Sequence, residues 1–249
     1  MVFSTLFFLF TYFPIVLLLH SITPLKYRNA VLLVVNLFFY GWKRPVYLLI
    51  MFASIGIDYV HGILVERAKA DGNDRRARRF VAQSVVFNLL LLGFFKYWDF
   101  IAGSLHAVGL GFMPVLGLEL PVGISFYTFQ TMSYTIDVYR GDAKAQRNIV
   151  NFGTFVTLFP QLIAGPILKY KDLADQIDER DYPVERFAAG TQIFVVGLAK
   201  KVLLANNLGA LWEAYKAMPV SQLTTLGAWL GVLAFAFQLY FDFSGYSDM

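Results

Sequence analysis

Long apolar runs separated by short charged ones govern what this chain can become. Val2–Leu19, Pro45–Val65, Phe80–Asp99, Phe187–Leu204 and Leu223–Tyr246 each approach the ~20 residues that a helix needs to cross a hydrocarbon layer. Charged residues supply 15% of the chain, against ~25% in an ordinary soluble domain. That is too little charge to wet a globular surface. The fold class expected is all-α, a polytopic transmembrane helical protein with a broken or re-entrant segment, built as a single membrane domain over residues 1–249. Its first partner is the lipid bilayer. Aromatic residues, at 17% with 25 Phe and 14 Tyr, suit lipid-facing surfaces and interfacial belts.

The remaining composition narrows the function classes. The net charge of +4 comes from basic residues in short connections between apolar runs, which is topology rather than a nucleic-acid footprint. With no cysteine, disulfides, thiolate metal sites and a cysteine nucleophile are excluded, and no residue cluster suggests a metal. Val2–Leu19 follows Met1 directly, without a basic leader or a small-residue cleavage site, and reads as a retained first span that Pro14 kinks. Ala30–Trp42 is a short second span that needs local thinning to cross. The stretch Glu66–Arg79 carries Arg67, Lys69, Arg75, Arg76, Arg78 and Arg79 and reads as a cytoplasmic loop. Three crossings earlier, the N-terminus then lies outside. Lys43–Arg44 also falls outside, against the charge rule. Ile101–Leu118, interrupted by five Gly and Pro residues, reads as an interfacial or re-entrant piece. Lys169–Arg186 reads as a surface helix or loop, and Phe187–Leu204 as a span followed by Asn206-Asn207.

Leu120–Asp142 has an unusual pattern. Pro121 suits the start of a helix and Gly141 its end. At helical period Tyr127, Gln130, Thr131, Tyr134 and Asp137 share one face, while Ser125, Phe129, Met132 and Ile136 share the other. In water the polar face would simply be solvated; in a membrane protein it needs another destination. Downstream, Phe159–Ile167 holds Pro160, Gly165 and Pro166, which cannot sit in an unbroken helix. Broken helix at membrane depth is tolerated only against protein or a wet cavity, which places a cavity near Gln161 and Gly165.

Several residues invite sharper readings. A carboxylate at membrane depth costs ~2.5–3.5 kcal/mol or more, so Asp137 and Asp242 are expected to face an interior. The plainer reading of Asp137 is an interfacial acid paired with Arg140. Asp58 and His61, at i and i+3, read as a structural pair or, less simply, as a proton relay. His20 and His106 stand at segment ends with no catalytic pattern around them. Gly109 and Gly111 start a dinucleotide fingerprint that fails at Pro114, and Gly123-Ile124-Ser125 fails as a nucleophile elbow at Tyr127.

Three stretches taken together resemble the membrane-bound O-acyltransferase family: Leu120–Gly141, Phe159–Ile167 (Phe-Pro-Gln-Leu-Ile-Ala-Gly-Pro-Ile) and Phe237–Asp248 (Phe-Gln-Leu-Tyr-Phe-Asp-Phe-Ser-Gly-Tyr-Ser-Asp). The N-terminal Val2-Phe-Ser-Thr-Leu-Phe-Phe-Leu-Phe resembles its bacterial branch. The resemblance implies an enzyme of the bacterial inner membrane. A cytoplasmic acyl thioester, acetyl-CoA or an acyl carrier, would give its acyl group through a buried tunnel to hydroxyls of an extracytoplasmic polysaccharide such as alginate, through extracytoplasmic partner proteins and without a bound cofactor. Matched to the motifs, Gln130, Tyr134, Gln161, Gly165, Pro166, Gln238, Tyr240, Asp242 and Ser244 would line or shape that tunnel. The family's catalytic histidine, a general base, is expected after the last motif and hence beyond Met249. This implies that the sequence is the N-terminal part of a longer enzyme and carries no catalytic residue of its own. The alternatives that the residues leave open are a non-catalytic scaffold of a polysaccharide-modifying complex and a transporter.

Overall fold

A computed structural model describes residues 5–42, 44–162, 165, 168–178 and 183–249. Among these residues the only regular elements are helices. A π turn, Phe8–Tyr12, leads into α1 (Phe13–Ile22), so the wider turn accommodates Pro14. There follow α2 (Arg28–Gly41), α3 (Tyr47–Ala70), α4 (Asp74–Ala107), α5 (Ile124–Arg140), α6 (Ile149–Thr157), α7 (Phe159–Leu162), α8 (Tyr170–Asp178), α9 (Val184–Ala199), α10 (Asn206–Lys216) and α11 (Thr225–Asp248). Among the described residues four helical stretches are long and apolar enough to cross a membrane: Tyr47–Ala70, Asp74–Ala107, Val184–Lys216 and Thr225–Asp248.

The chain forms two compact units. One comprises residues 15–163 and 167–180, the other residues 1–14, 164–166 and 181–249. In the first, α3, α4 and α5 pack on one another and α6 lies against α2. Its core runs through Met51, Ile55, Val65, Leu92, Ile124, Tyr127, Tyr134, Phe152, Phe155 and Leu162. In the second, α11 packs against α9, α10 and the π turn Lys200–Ala205 that joins them.

Several boundaries move from their expected places for identifiable reasons. The basic stretch expected as the loop Glu66–Arg79 is almost entirely helix. Only Asp71, Gly72 and Asn73 separate α3 from α4. Asn73 caps α4, its side chain accepting from the Arg76 amide, and the basic residues ride on exposed helix ends. The piece expected to be re-entrant splits in two. Its first part continues α4 to Ala107, because a lone Gly103 costs a helix only ~1 kcal/mol. The rest is irregular chain tied back to the helix. The amides of Leu116 and Leu118 donate to the Asp99 carboxylate at 2.8 and 3.0 Å, and the Trp98 indole donates to the Pro114 carbonyl at 3.0 Å. The span expected over Phe187–Leu204 runs longer, because the π turn Lys200–Ala205 carries the helical stretch on through Asn206-Asn207 to Lys216.

The first unit is pinned by polar groups. Asp58 on α3 is fully buried, and Ser84 and Asn88 on α4 and Thr131 on α5 are buried with it. Ser84 Oγ donates to Asp58 Oδ1 at 2.5 Å, and Asn88 Nδ2 reaches both carboxylate oxygens at 3.0 and 2.8 Å. Ser84 Oγ also meets Thr135 Oγ1 at 3.2 Å, which ties α5 to the pair. His61 instead turns its Nδ1 to the Ile57 carbonyl, so the expected Asp58–His61 pair does not form. Replacing Asn88 by Leu removes the donor to Asp58 Oδ2, and the variant is expected to lose about 2–3 kcal/mol of stability. Denaturation of the purified protein in detergent measures the loss, and an unchanged midpoint would remove Asp58 from its pinning role.

Candidate functional site

The site grows from α5, whose two faces are reversed relative to a helix in water. Tyr127, Gln130, Thr131, Tyr134 and Asp137 are all buried, whereas Phe129 is 42% exposed. Hydrocarbon explains the inversion. Apolar side chains cost nothing facing lipid, while each unpaired polar group costs several kcal/mol there. The helix starts after Gly123, at φ 74°, and ends at Gly141, at φ 81°, as expected for its C-terminus. Gly123 serves packing as well as conformation, since a Cβ there would lie 2.4 Å from the Leu162 carbonyl oxygen.

Opposite α5 lies the helix break. It falls at Leu158, between α6 and α7, rather than at Pro160. Pro160 sits in the first turn of α7, where its missing N–H is no loss. A break frees backbone groups, and side chains satisfy them. Gln130 Nε2 and Gln161 Nε2 both donate to the Phe155 carbonyl, at 3.0 and 2.9 Å. The Phe159 amide donates to Asn36 Oδ1 at 3.3 Å, and Asn36 Nδ2 donates to Thr157 Oγ1 at 3.4 Å. Among the described residues Gln161 Oε1 is buried without a hydrogen-bond partner, and the rings of Tyr40 and Tyr127 meet edge to face.

Toward the C-terminal end of α5, Tyr134 packs its ring on Phe152 and Tyr170. Its hydroxyl accepts from the Gln146 amide at 3.1 Å, and Gln146 Nε2 donates to the Tyr170 hydroxyl at 3.2 Å. Above this layer opens a cavity of about 640 Å³ lined by Asp142, Lys144, Gln146, Arg147, Tyr170 and Lys171. Lys171 lies 3.7 Å from Asp142, and Arg147 pairs with Glu66. Asp137 is buried at this end of the helix, beside the Lys171 backbone and ammonium group. Among the described residues no ion pair joins it to Arg140, so the plainer reading of that acid does not hold.

The second unit holds the remaining candidates, on α11. Asp242 Oδ1 lies 2.5 Å from Lys201 Nζ. Ser244 Oγ accepts from Lys200 Nζ at 3.2 Å, and Lys200 Nζ pairs with Asp248 at 2.6 Å. The side chain of Gln238 packs against Gly209 with Oε1 buried and unpartnered. Tyr240 is exposed. Gly165 is buried, and Pro166 lies outside the described residues. Gln130 and Gln161 therefore meet at one carbonyl within the first unit, and Asp242 and Ser244 meet adjacent lysines within the second. Sequence reasoning missed Asn36, Ser84, Asn88, Lys200 and Lys201. The two asparagines carried a signal, a lone amide inside an apolar run.

The architecture is that of a multi-pass helical membrane protein with polar side chains buried among its helices. Residues 141–249 match the model of MBOAT, the membrane-bound O-acyltransferase family. A probable alginate O-acetylase of Pseudomonas aeruginosa is 44% identical over the whole of this chain and 48% of its own length. A peptidoglycan O-acetyltransferase of Helicobacter pylori is 29% identical over the whole chain and 53% of its length, and a teichoic acid D-alanyltransferase of Lacticaseibacillus rhamnosus is 28% identical over 66% of the chain and 47% of its length. The chain belongs to the membrane-bound O-acyltransferase family. It spans about half the length of the curated relatives it matches.

Two glutamines sharing one carbonyl make a coupled pair. Gln130→Leu or Gln161→Leu alone leaves the Phe155 carbonyl one donor and is expected to cost about 0.5–1.5 kcal/mol. The double variant strands the carbonyl and is expected to exceed the sum of the singles by about 1 kcal/mol. A double-mutant cycle on unfolding free energies reads the coupling, and strict additivity would show that the two side chains act apart.

Proposed function

We propose that this chain is the N-terminal part of a membrane O-acyltransferase that moves an acyl group, acetyl by preference, from a cytoplasmic thioester to hydroxyls of an extracytoplasmic polysaccharide such as alginate. The observation that carries the reading is the inward polar face of α5, which sets Gln130, Tyr134 and Asp137 inside a helical bundle. A membrane protein bears the cost of burying such groups where a polar substrate is handled. The relatives named for acetyl and D-alanyl transfer support the reaction class.

With the N-terminus outside, the C-terminal end of α5 and its cavity face the cytoplasm. Lys144, Arg147 and Lys171 line that cavity and suit the phosphates that coenzyme A and acyl carriers share. The inward polar residues, together with Gln238, Tyr240, Asp242 and Ser244 on α11, serve the acyl path. The general base is a histidine of the full-length enzyme outside this chain. His61 Nδ1 and His106 Nε2 each lie 2.8 Å from a backbone carbonyl oxygen and hold structure instead. The acceptor is delivered by extracytoplasmic partner proteins at the bacterial inner membrane.

Transfer of labelled acetyl from acetyl-CoA to polysaccharide, in membranes carrying the full-length enzyme, tests the reading. Asp242→Ala is expected to abolish transfer while the protein stays inserted, and Lys144→Glu to raise the KM for donor several-fold with kcat little changed. Full activity of Asp242→Ala would show that residue 242 does not shape the acyl path. Absence of any transfer by the wild-type enzyme would overturn the assignment itself.

A further inference from the structure

Within the second unit, two neighbouring lysines reach into the helix that bears the last family-like motif. In an α-helix consecutive side chains diverge by ~100°. Lys200 and Lys201 open the π turn Lys200–Ala205, whose i to i+5 bonding narrows that divergence, and both ammonium groups meet α11. Lys201 Nζ stands 2.5 Å from Asp242, and Lys200 Nζ stands 2.6 Å from Asp248 and 3.2 Å from Ser244 Oγ. The backbones come close at the same level. A Cβ on Gly197 would lie 2.6 Å from the Gly245 carbonyl oxygen, and one on Gly245 would lie 2.7 Å from that of Gly197. Only glycines permit this approach, and the approach brings the lysines within reach.

The helices that carry these pairs make them informative. Both partners belong to helices of spanning length and apolarity, Val184–Lys216 and Thr225–Asp248. The four side chains are 22–44% exposed within their unit, and charges carried by such apolar helices pair with one another and mark function. The pairing is specific in register. An i, i+6 pair of acids on α11 is matched by consecutive lysines, so a one-residue slip or a rotation of α11 would separate both pairs together.

We propose that Lys200 and Lys201 are positioning residues for acyl transfer: their ion pairs with Asp248 and Asp242 fix the rotation of α11 and so the presentation of the Asp242–Ser244 segment to the reacting groups. The assignment rests on the acyltransferase reading above. It differs from a catalytic role for Asp242, because it requires the pair and not the carboxylate at one particular end of it.

Reversing the pair separates these meanings. In the full-length enzyme, Lys201→Met and Asp242→Ala are each expected to lower acetyl transfer at least tenfold. The double reversal, Lys201→Asp with Asp242→Lys, is expected to return it to within about threefold of wild type. Lys200→Arg, which keeps the charge, is expected to stay active, and Lys200→Met to fall. Melting of each variant in detergent separates positioning from collapse. A reversed pair that inserts and melts like wild type yet moves no acetyl overturns the proposal, and so does a fully active Lys201→Met. If the wild-type enzyme moves no acetyl at all, the acyltransferase reading fails. The staple is then judged on melting alone: recovery by the reversed pair upholds it, and no recovery removes it.

Discussion

A buried polar group in a membrane helix has no solvent to fall back on, so a partner within the protein is what offsets the cost of burying it. The structure is organised by that necessity. Asp58 lies buried between α3 and α4 and takes hydrogen bonds from Ser84 and Asn88, with α5 joined through Thr135. No cation takes part in these bonds. What would be a small term on a wet surface becomes a fixed point here, because the alternative is an unsatisfied carboxyl in a low-dielectric interior. The same necessity turns the polar face of α5 inward and leaves Phe129 outside.

It also accounts for the helix break. A discontinuity at Leu158 would strand backbone groups in an apolar setting. Asn36, Gln130 and Gln161, from three different helices, supply the missing partners. The break is therefore a junction where α2, α5 and α7 exchange side-chain bonds for backbone ones. In the second unit the partners are charges, and Lys201 and Lys200 answer Asp242 and Asp248.

Much of this was legible in the residues. The apolar runs placed the long helices, and Pro121 with Gly141 bracketed α5 to within a few residues of its observed ends. Pro160, Gly165 and Pro166 pointed to a break in this segment, and the observed one falls at Leu158. Helix boundaries were less legible wherever charge was taken for loop, as in Glu66–Arg79, because an exposed helix end carries basic residues as readily as a loop does. Partners were least legible of all. Asp58 looked toward His61 because both lie on one helix, whereas its actual donors stand on the next helix, far along the chain. Asp242 looked like a lone acid, because nothing in a linear reading connects residues 201 and 242. Such pairings depend on the register between helices, which apolar patterning alone leaves free to slide.

The turn between α3 and α4 has a consequence for biogenesis. With only Asp71, Gly72 and Asn73 between them, the two helices emerge from the ribosome almost back to back. They can enter the bilayer as a preformed helical hairpin rather than as successive single crossings. Asp58 then meets Ser84 and Asn88 before either helix confronts lipid alone. Inserted in that way, Asp58 would cross already bonded to α4 rather than as a bare carboxyl group.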